Sequence, residues 1–505
     1  MNHSIMKHTY LIAICVLSTV MSSCGVATSH IRHDSLGLKP RIVVLTDIAP
    51  ADWEPDDMES AVRLMAYADM LEVEALITSG GWNSSNIVYR VGWKDSLNSI
   101  INAYEKDLPG LMKRSGQGSF RSLKIESGKQ EIGYWPSADY MRSRVMVGSL
   151  ELGQRMIGAD NRSEGSDHII ALADESDERP IWILAWGGAN TFAQAVWQVE
   201  QDRTPKEVKA FLKKFRVYTI TDQDVPLGNP DVSFEFSSHQ RLRRDFPQDL
   251  MFLWDESAWQ SQNGIGASNW KDYEEHIQGH GNLGKVYPRY KWGVEGDTPS
   301  FLHVLPNGLN DPSVPEMIGW GGYFEFILGA DQTTRCHTNH SGSQKAVSKK
   351  YERYFYPAVF NDFAARMDWA ASGIGNRNPV VNVNGSQSLK IIQMDVMPGE
   401  SVCLDASGTY DPDGDLLSFS WWHMPESGTW EGPVEIYRSD SDVAEIKIPE
   451  DTSGKTIHII CEVTDSGVPS LSSYRRLILN VCLSPDRNSP KSARLPQPRA
   501  YQSLK

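Results

Sequence analysis

The chain has 505 residues, enough for two or three domains, with an ordinary globular balance of 40% hydrophobic and 22% charged residues. Its formal net charge of −15 and its lack of a basic stripe argue against nucleic acid as a partner, since nothing would displace counterions from a phosphate backbone. Beyond the N-terminal segment, no stretch is long and apolar enough to span a bilayer.

The first element is a targeting segment. Lys7 and His8 precede an apolar run, Tyr10–Val20, too short for a membrane core. It ends in Met21, Ser22, Ser23 and Cys24, which resembles a bacterial lipobox with Met where Leu is commoner. A lipid on Cys24 makes the membrane a partner and implies an exported lipoprotein, periplasm-facing or surface-exposed, of a Gram-negative bacterium. An ordinary cleaved signal peptide is the alternative. Residues 1–24 are then the signal and 25–39 a tether. Export permits disulfides. Setting Cys15 and Cys24 aside, Cys336, Cys403, Cys461 and Cys482 allow three full pairings.

From residue 40 to 375, apolar runs alternate with helical patterns. Strands are expected at Ile42–Thr46, Val73–Thr78, Ile181–Ala185, Phe215–Thr221 and Leu250–Trp254. Helices are expected at Met58–Met70, Ile87–Asp107, Thr191–Glu200, Pro205–Phe215 and Gln344–Ala371. This alternation predicts an α/β fold with a mostly parallel sheet and helices on both faces. The composition changes over residues 373–385, where Gly, Asn and Pro occur with no helical period, and residues 376–387 read as a linker. From 388 to 484, short strands at Glu400–Leu404, Leu417–Trp422, Ala444–Ile448, Thr456–Val463 and Arg475–Val481 read as an Ig-like β-sandwich. The Pro-rich tail, 485–505, is expected to be disordered.

The chemistry starts where the first strand ends. Asp47, Asp52, Glu54, Asp56 and Asp57 crowd the loop after it, at the strand end where open α/β sheets bind ligands. Such acids repel unless a cation or protons neutralise them, so the loop is a candidate hard-metal site. A solvated loop with Asp56 or Asp57 at a helix N-terminus is the alternative.

LTDIAPADWEPDDMESAVRL, ALITSGGWN and ILAWGGANTFAQAV resemble the nucleoside hydrolase fold. With VYTITDQD, HGNLGKVYP, EGDTPSFLHVLPNGLNDP, WGGYFE and NDFAARMDW, the chain more closely resembles an exported bacterial nucleoside-hydrolase-like family that includes a cellulose-binding protein. The resemblance implies one Ca²⁺ held by Asp47, Asp57, the distant Asp297 and the carbonyl of Ala189, an all-oxygen set. It implies that Asp56 is the base acting on a metal-bound water, and that Asn83, Asn190, Asn229 and Glu235 contact sugar. For Asn190, a turn or helix-capping role is the alternative. The spacing from Asp47 to Asp56 is longer than in true nucleoside hydrolases. Gly296 stands where many of them carry a His that helps the nucleobase leave, help often worth ~10²–10⁴ in rate. His239, His276, His280, His303, His337 and His340 are candidate replacements, and Glu235 or Glu295 is a candidate acid. Trp53, Trp82, Trp186, Trp254, Trp259, Trp270, Trp292 and Trp320 supply faces for a saccharide cleft, with core packing as the alternative.

The segment from Ser401 to Trp422 resembles Ig-like modules of bacterial carbohydrate-active proteins. Its turn, Asp411, Asp413 and Asp415, suits a second, structural Ca²⁺ or bonds to its own backbone. Cys403, Trp421 and Cys461 echo the Ig spacing, yet inward Val402 and Leu404 would point Cys403 outward. The leading expectation is an exported Ca-dependent glycoside hydrolase acting on an N- or O-glycosidic bond of a furanoside or a plant or algal saccharide fragment. A non-catalytic, cellulose-like carbohydrate-binding protein and a periplasmic nucleoside hydrolase are the alternatives. A homo-oligomer is compatible with each.

Overall fold

The computed structural model describes residues 37–53, 55–82, 93–225 and 236–483. The signal, Cys24, most of the tether, the tail, Asn83, Asn229 and Glu235 lie outside the described residues. No described helix is long and apolar enough to cross a membrane.

The large domain is built on β1 (Arg41–Thr46), β2 (Glu72–Thr78), β3 (Val145–Val147), β4 (Ile181–Ala185), β5 (Phe215–Ile220), β6 (Met251–Asp255), β7 (Glu325–Leu328) and β8 (Arg335–Thr338). They form one sheet in the order β3-β2-β1-β4-β5-β6-β8-β7, parallel except for the β7–β8 pair. β1 and β4 are buried at every position, which is why both read as unbroken apolar runs. Ile42, Val44, Trp182 and Leu184 feed one core, while Val43, Leu45, Ile181 and Ile183 feed the core on the other face. The strand order reverses between β1 and β4, so the crevice beyond their C-terminal ends is the topological switch point. β3, β7 and β8 escape the sequence reading because three or four residues carry no readable period, and β8 is Arg-Cys-His-Thr.

The small domain comprises β9 (Ile392–Val396), β10 (Ser401–Asp405), β11 (Leu417–His423), β12 (Glu435–Tyr437), β13 (Val443–Lys447), β14 (Thr456–Asp465) and β15 (Ser472–Val481). Its sheets are β10-β13-β12 and β11-β14-β15-β9. Several expectations are corrected here. Residues 376–387 are no linker: Val380 pairs with Tyr410, and Val381 and Val383 are buried in the sandwich core. At the other end of the chain, the expected tether stops short of Lys39, whose Nζ is buried against Ala68 O and Gln130 Oε1. Among the described residues the four cysteines are free: Cys403 faces solvent, while Cys461 is buried opposite Trp421. In the acidic turn, protein donors already meet Asp413 and one oxygen of Asp411. Asp413 pairs with Arg114 at 2.5 Å and Arg377 at 2.8 Å, and Asp411 Oδ1 accepts from the backbone of Asp413 and Asp415.

The two domains pack through the helix Gly342–Ser372 and β15. Tyr354 and Phe355 meet Trp422 edge-on and tilted, and Tyr351 stacks on it. Arg476 is fully buried between the domains, donating to Ile318 O at 2.6 Å and to Leu309 O, with His458 Nδ1 at 2.9 Å.

Candidate metal and saccharide site

The loop after β1 leads into the helix Asp56–Ala66, which starts two residues earlier than expected and carries Asp56, Asp57 and Glu59 in its first turn. Negative charge there complements the helix dipole. The Thr46 hydroxyl donates to Asp57 Oδ1, and Asp57 N donates to Asp56 Oδ1 at 3.0 Å. Both carboxylates are therefore oriented by their own segment.

Asp297 arrives from far along the chain because the same helix grips its loop. Glu59 accepts from Glu295 N at 2.7 Å, Ser60 Oγ accepts from Asp297 N at 3.3 Å, and Arg63 pairs with Glu295 at 2.6 Å. Burial lowers the Arg63 guanidinium, but the charge of Glu295 more than offsets it and holds Arg63 above its ordinary value. Glu295, held at φ 56, also accepts from the Tyr287 hydroxyl. It is committed to structure and does not serve as the acid the sequence suggested.

Asp56, Asp57 and Asp297 each present an oxygen within 4.8 Å of the others, the last two buried and Asp56 half-buried. At ~4–5 Å and an effective dielectric of about 20, each ionised pair repels by ~3–4 kcal/mol. An all-oxygen set of this kind suits Ca²⁺. Asp47 falls outside the set. Buried after β1, it is wedged by backbone: a Cβ on Gly187 would lie 3.0 Å from Asp47 Oδ1, and one on Gly81 would strike the same carboxylate. The Ala189 carbonyl accepts the first-turn bond from Ala193 N at 3.0 Å, which leaves it one lone pair. Asn190 is corrected. Its buried Oδ1 accepts from Ser79 Oγ at 3.0 Å and its amide donates to Glu151 O, so it ties loops together, and Ala189 rather than Asn190 is the helix N-cap.

The missing leaving-group donor has a steric cause. A Cβ on Gly296 would stand 2.8 Å from Asp56 Oδ2, so a side chain there would displace the carboxylate. The histidines are engaged elsewhere. His239 is buried between Thr219 and Arg243, and burial keeps it neutral. His303 contacts Pro312 O, and burial lowers it to about 4. His280 pairs with Asp368 and His337 with Glu316, while His276 lies edge-on to Phe360. Burial also lowers His340. Of the tryptophans, Trp186, Trp254, Trp270 and Trp320 are buried in the core, whereas Trp53 and Trp292 are exposed.

Sequence reasoning left Asp222 and Asp224 unassigned, although they too follow a parallel strand. Burial, joined by the charge of Asp224, raises Asp222, and burial raises Asp224. Ser237 donates to Asp222 at 2.7 Å, while Ser238 Oγ and His239 N donate to Asp224. With native values above the unfolded ~3.9, the stability this pair contributes is fully present below that value and is lost as pH rises through the native ones. Asp222→Asn is expected to flatten the dependence of unfolding free energy on pH between about 4 and 7, from the unfolded to the native value, by roughly 2 kcal/mol or more. Urea titrations across that range check this, and an unchanged slope refutes it.

Residues 41–324 match a family model described as the cellulose-binding Sde182 nucleoside hydrolase-like domain, and residues 401–481 match the C-terminal domain of cellulose-binding protein Sde0182. The chain belongs to this family. A solved nucleoside hydrolase-related hypothetical protein from Saccharophagus degradans, described as associated with carbohydrate metabolism, is 34% identical. It covers 88% of this chain and 100% of its own at a TM-score of 0.73. A PKD domain of the KIAA 1837 protein, 21% identical over 20% of this chain and 87% of its own, has a TM-score of 0.15. No curated protein matches. The Sde182-like assignment agrees with the nucleoside hydrolase-like sheet and the strand-rich C-terminal domain.

Proposed function

We propose that this Sde182-family protein is an exported carbohydrate-binding protein that takes a cellulose-like glucan at the switch-point edge of its sheet, anchored by a lipid on Cys24. The observation that carries this is the carboxylate trio Asp56, Asp57 and Asp297 in a domain whose family model is described as cellulose-binding. These three would hold a Ca²⁺, with Asp47 and the Ala189 carbonyl at its border, and the ion would supply a Lewis-acid grip on vicinal hydroxyls. Gly296 against Asp56, the Arg63–Glu295 pair and the engaged histidines support binding over bond cleavage, because each of these groups offered as a leaving-group donor is absent from position 296 or already held by a protein partner.

Hydrolysis is the second reading, favoured by half-buried Asp56 beside two deeper acids, a placement fit for a base. Purified protein is expected to deplete from solution on insoluble cellulose, to lose that in EGTA, and to release no reducing ends from cello-oligosaccharides. Release of reducing ends that Asp56→Asn abolishes would establish the hydrolase instead. Free base released from inosine or uridine would revive the nucleosidase.

A further inference from the structure

We propose that Trp53 and Trp292 form an aromatic strip on which consecutive sugar rings of an extended β-linked pyranose chain lie, beside the carboxylate trio. This rests on the carbohydrate-binding reading above. Most tryptophans of the large domain are spent on packing, yet Trp292 is 71% exposed and Trp53 is 44% exposed. Leaving indoles in water forgoes burial, and such side chains at a site edge mark a recognition surface.

Their placement follows the acids. Trp53 precedes Asp56 in the loop after β1, and Trp292 precedes Asp297 in the loop gripped by Glu59, Ser60 and Arg63. Lys291 joins the loops: its Nζ donates to Trp53 O at 2.9 Å and lies 5.2 Å from the centroid of the Trp292 ring. The ammonium holds the indole by cation–π attraction. A β-linked glucopyranose chain presents flat C–H faces to such rings and directs its hydroxyls sideways, where the Lys291 ammonium stands between the two loops. Open loops, unlike an enclosed cavity, let a chain run past, which favours a polymer over a free monosaccharide or a nucleoside.

Calorimetric titration with cellohexaose and depletion on insoluble cellulose test this with the full exported chain. Trp292→Ala and Trp53→Ala are each expected to weaken binding about threefold to tenfold, with the double variant weaker still and Trp292→Phe near wild type. An unchanged Ca²⁺-dependent melting shift would show that the trio is intact in each variant. If wild type binds and both alanine variants bind equally well, the strip is wrong while the carbohydrate-binding reading stands. If wild type binds neither cellohexaose nor cellulose, that reading and the strip both fall.

Discussion

Calcium is expected to raise the melting temperature of the wild-type protein by about 3 °C at a hundredfold excess over its dissociation constant, and Asp57→Asn to abolish the rise. Asp57, Asp56 and Asp297 are oriented before any ion arrives, by Thr46, by the start of a helix and by the Glu59–Ser60 grip on the far loop. Little ordering is left for the ion to impose, so most of its interaction energy becomes stability. In EGTA the sign reverses: the three carboxylates repel, and removing one charge makes Asp57→Asn melt above wild type. Scanning calorimetry of both proteins in EGTA and in excess Ca²⁺ reads both effects. A wild type indifferent to Ca²⁺, or a variant that responds equally, would refute the metal assignment.

Arg63→Met should cost about 3–5 kcal/mol of stability and also erase the calcium response, although it removes no ligand. Arg63 and Glu295 are both buried, and Arg63 also donates to Val359 O at 2.5 Å. Without the guanidinium, Glu295 is a buried charge with only Tyr287 to satisfy it, and the loop that delivers Asp297 loses a tie to the first helix. Adding Glu295→Gln removes that stranded charge, so the double variant should recover much of the stability. Urea unfolding of the single and double variants gives the energies. A single variant within 1 kcal/mol of wild type would show that the pair does not hold the loop.

The site was legible wherever its residues are close in sequence. Asp56 and Asp57 stand together after an apolar strand, and that local pattern is enough to place them at a sheet edge. The corrections come from contacts that skip far along the chain. Asn190 looked available to a ligand until Ser79 and Glu151 claimed both ends of its amide. Glu295 looked like an acid until Arg63 claimed it. Asp413 stands in a run of acids, and only the fold shows that Arg114 and Arg377 pair with it.

By itself, the sequence determined the long central strands β1, β2, β4, β5 and β6, the helices that alternate with them, the β-sandwich and the acidic loop, because each is written in periodicity or composition over a few neighbouring residues. Only the tertiary structure decided that Asp47 stays with Gly81 and Gly187 while Asp56 joins Asp57 and Asp297, that residues 376–387 belong to the sandwich, and that Trp53 and Trp292 remain at the surface. Those outcomes depend on which partner reaches a side chain first in space, and burial and charge pairing between distant segments are not encoded in any local window.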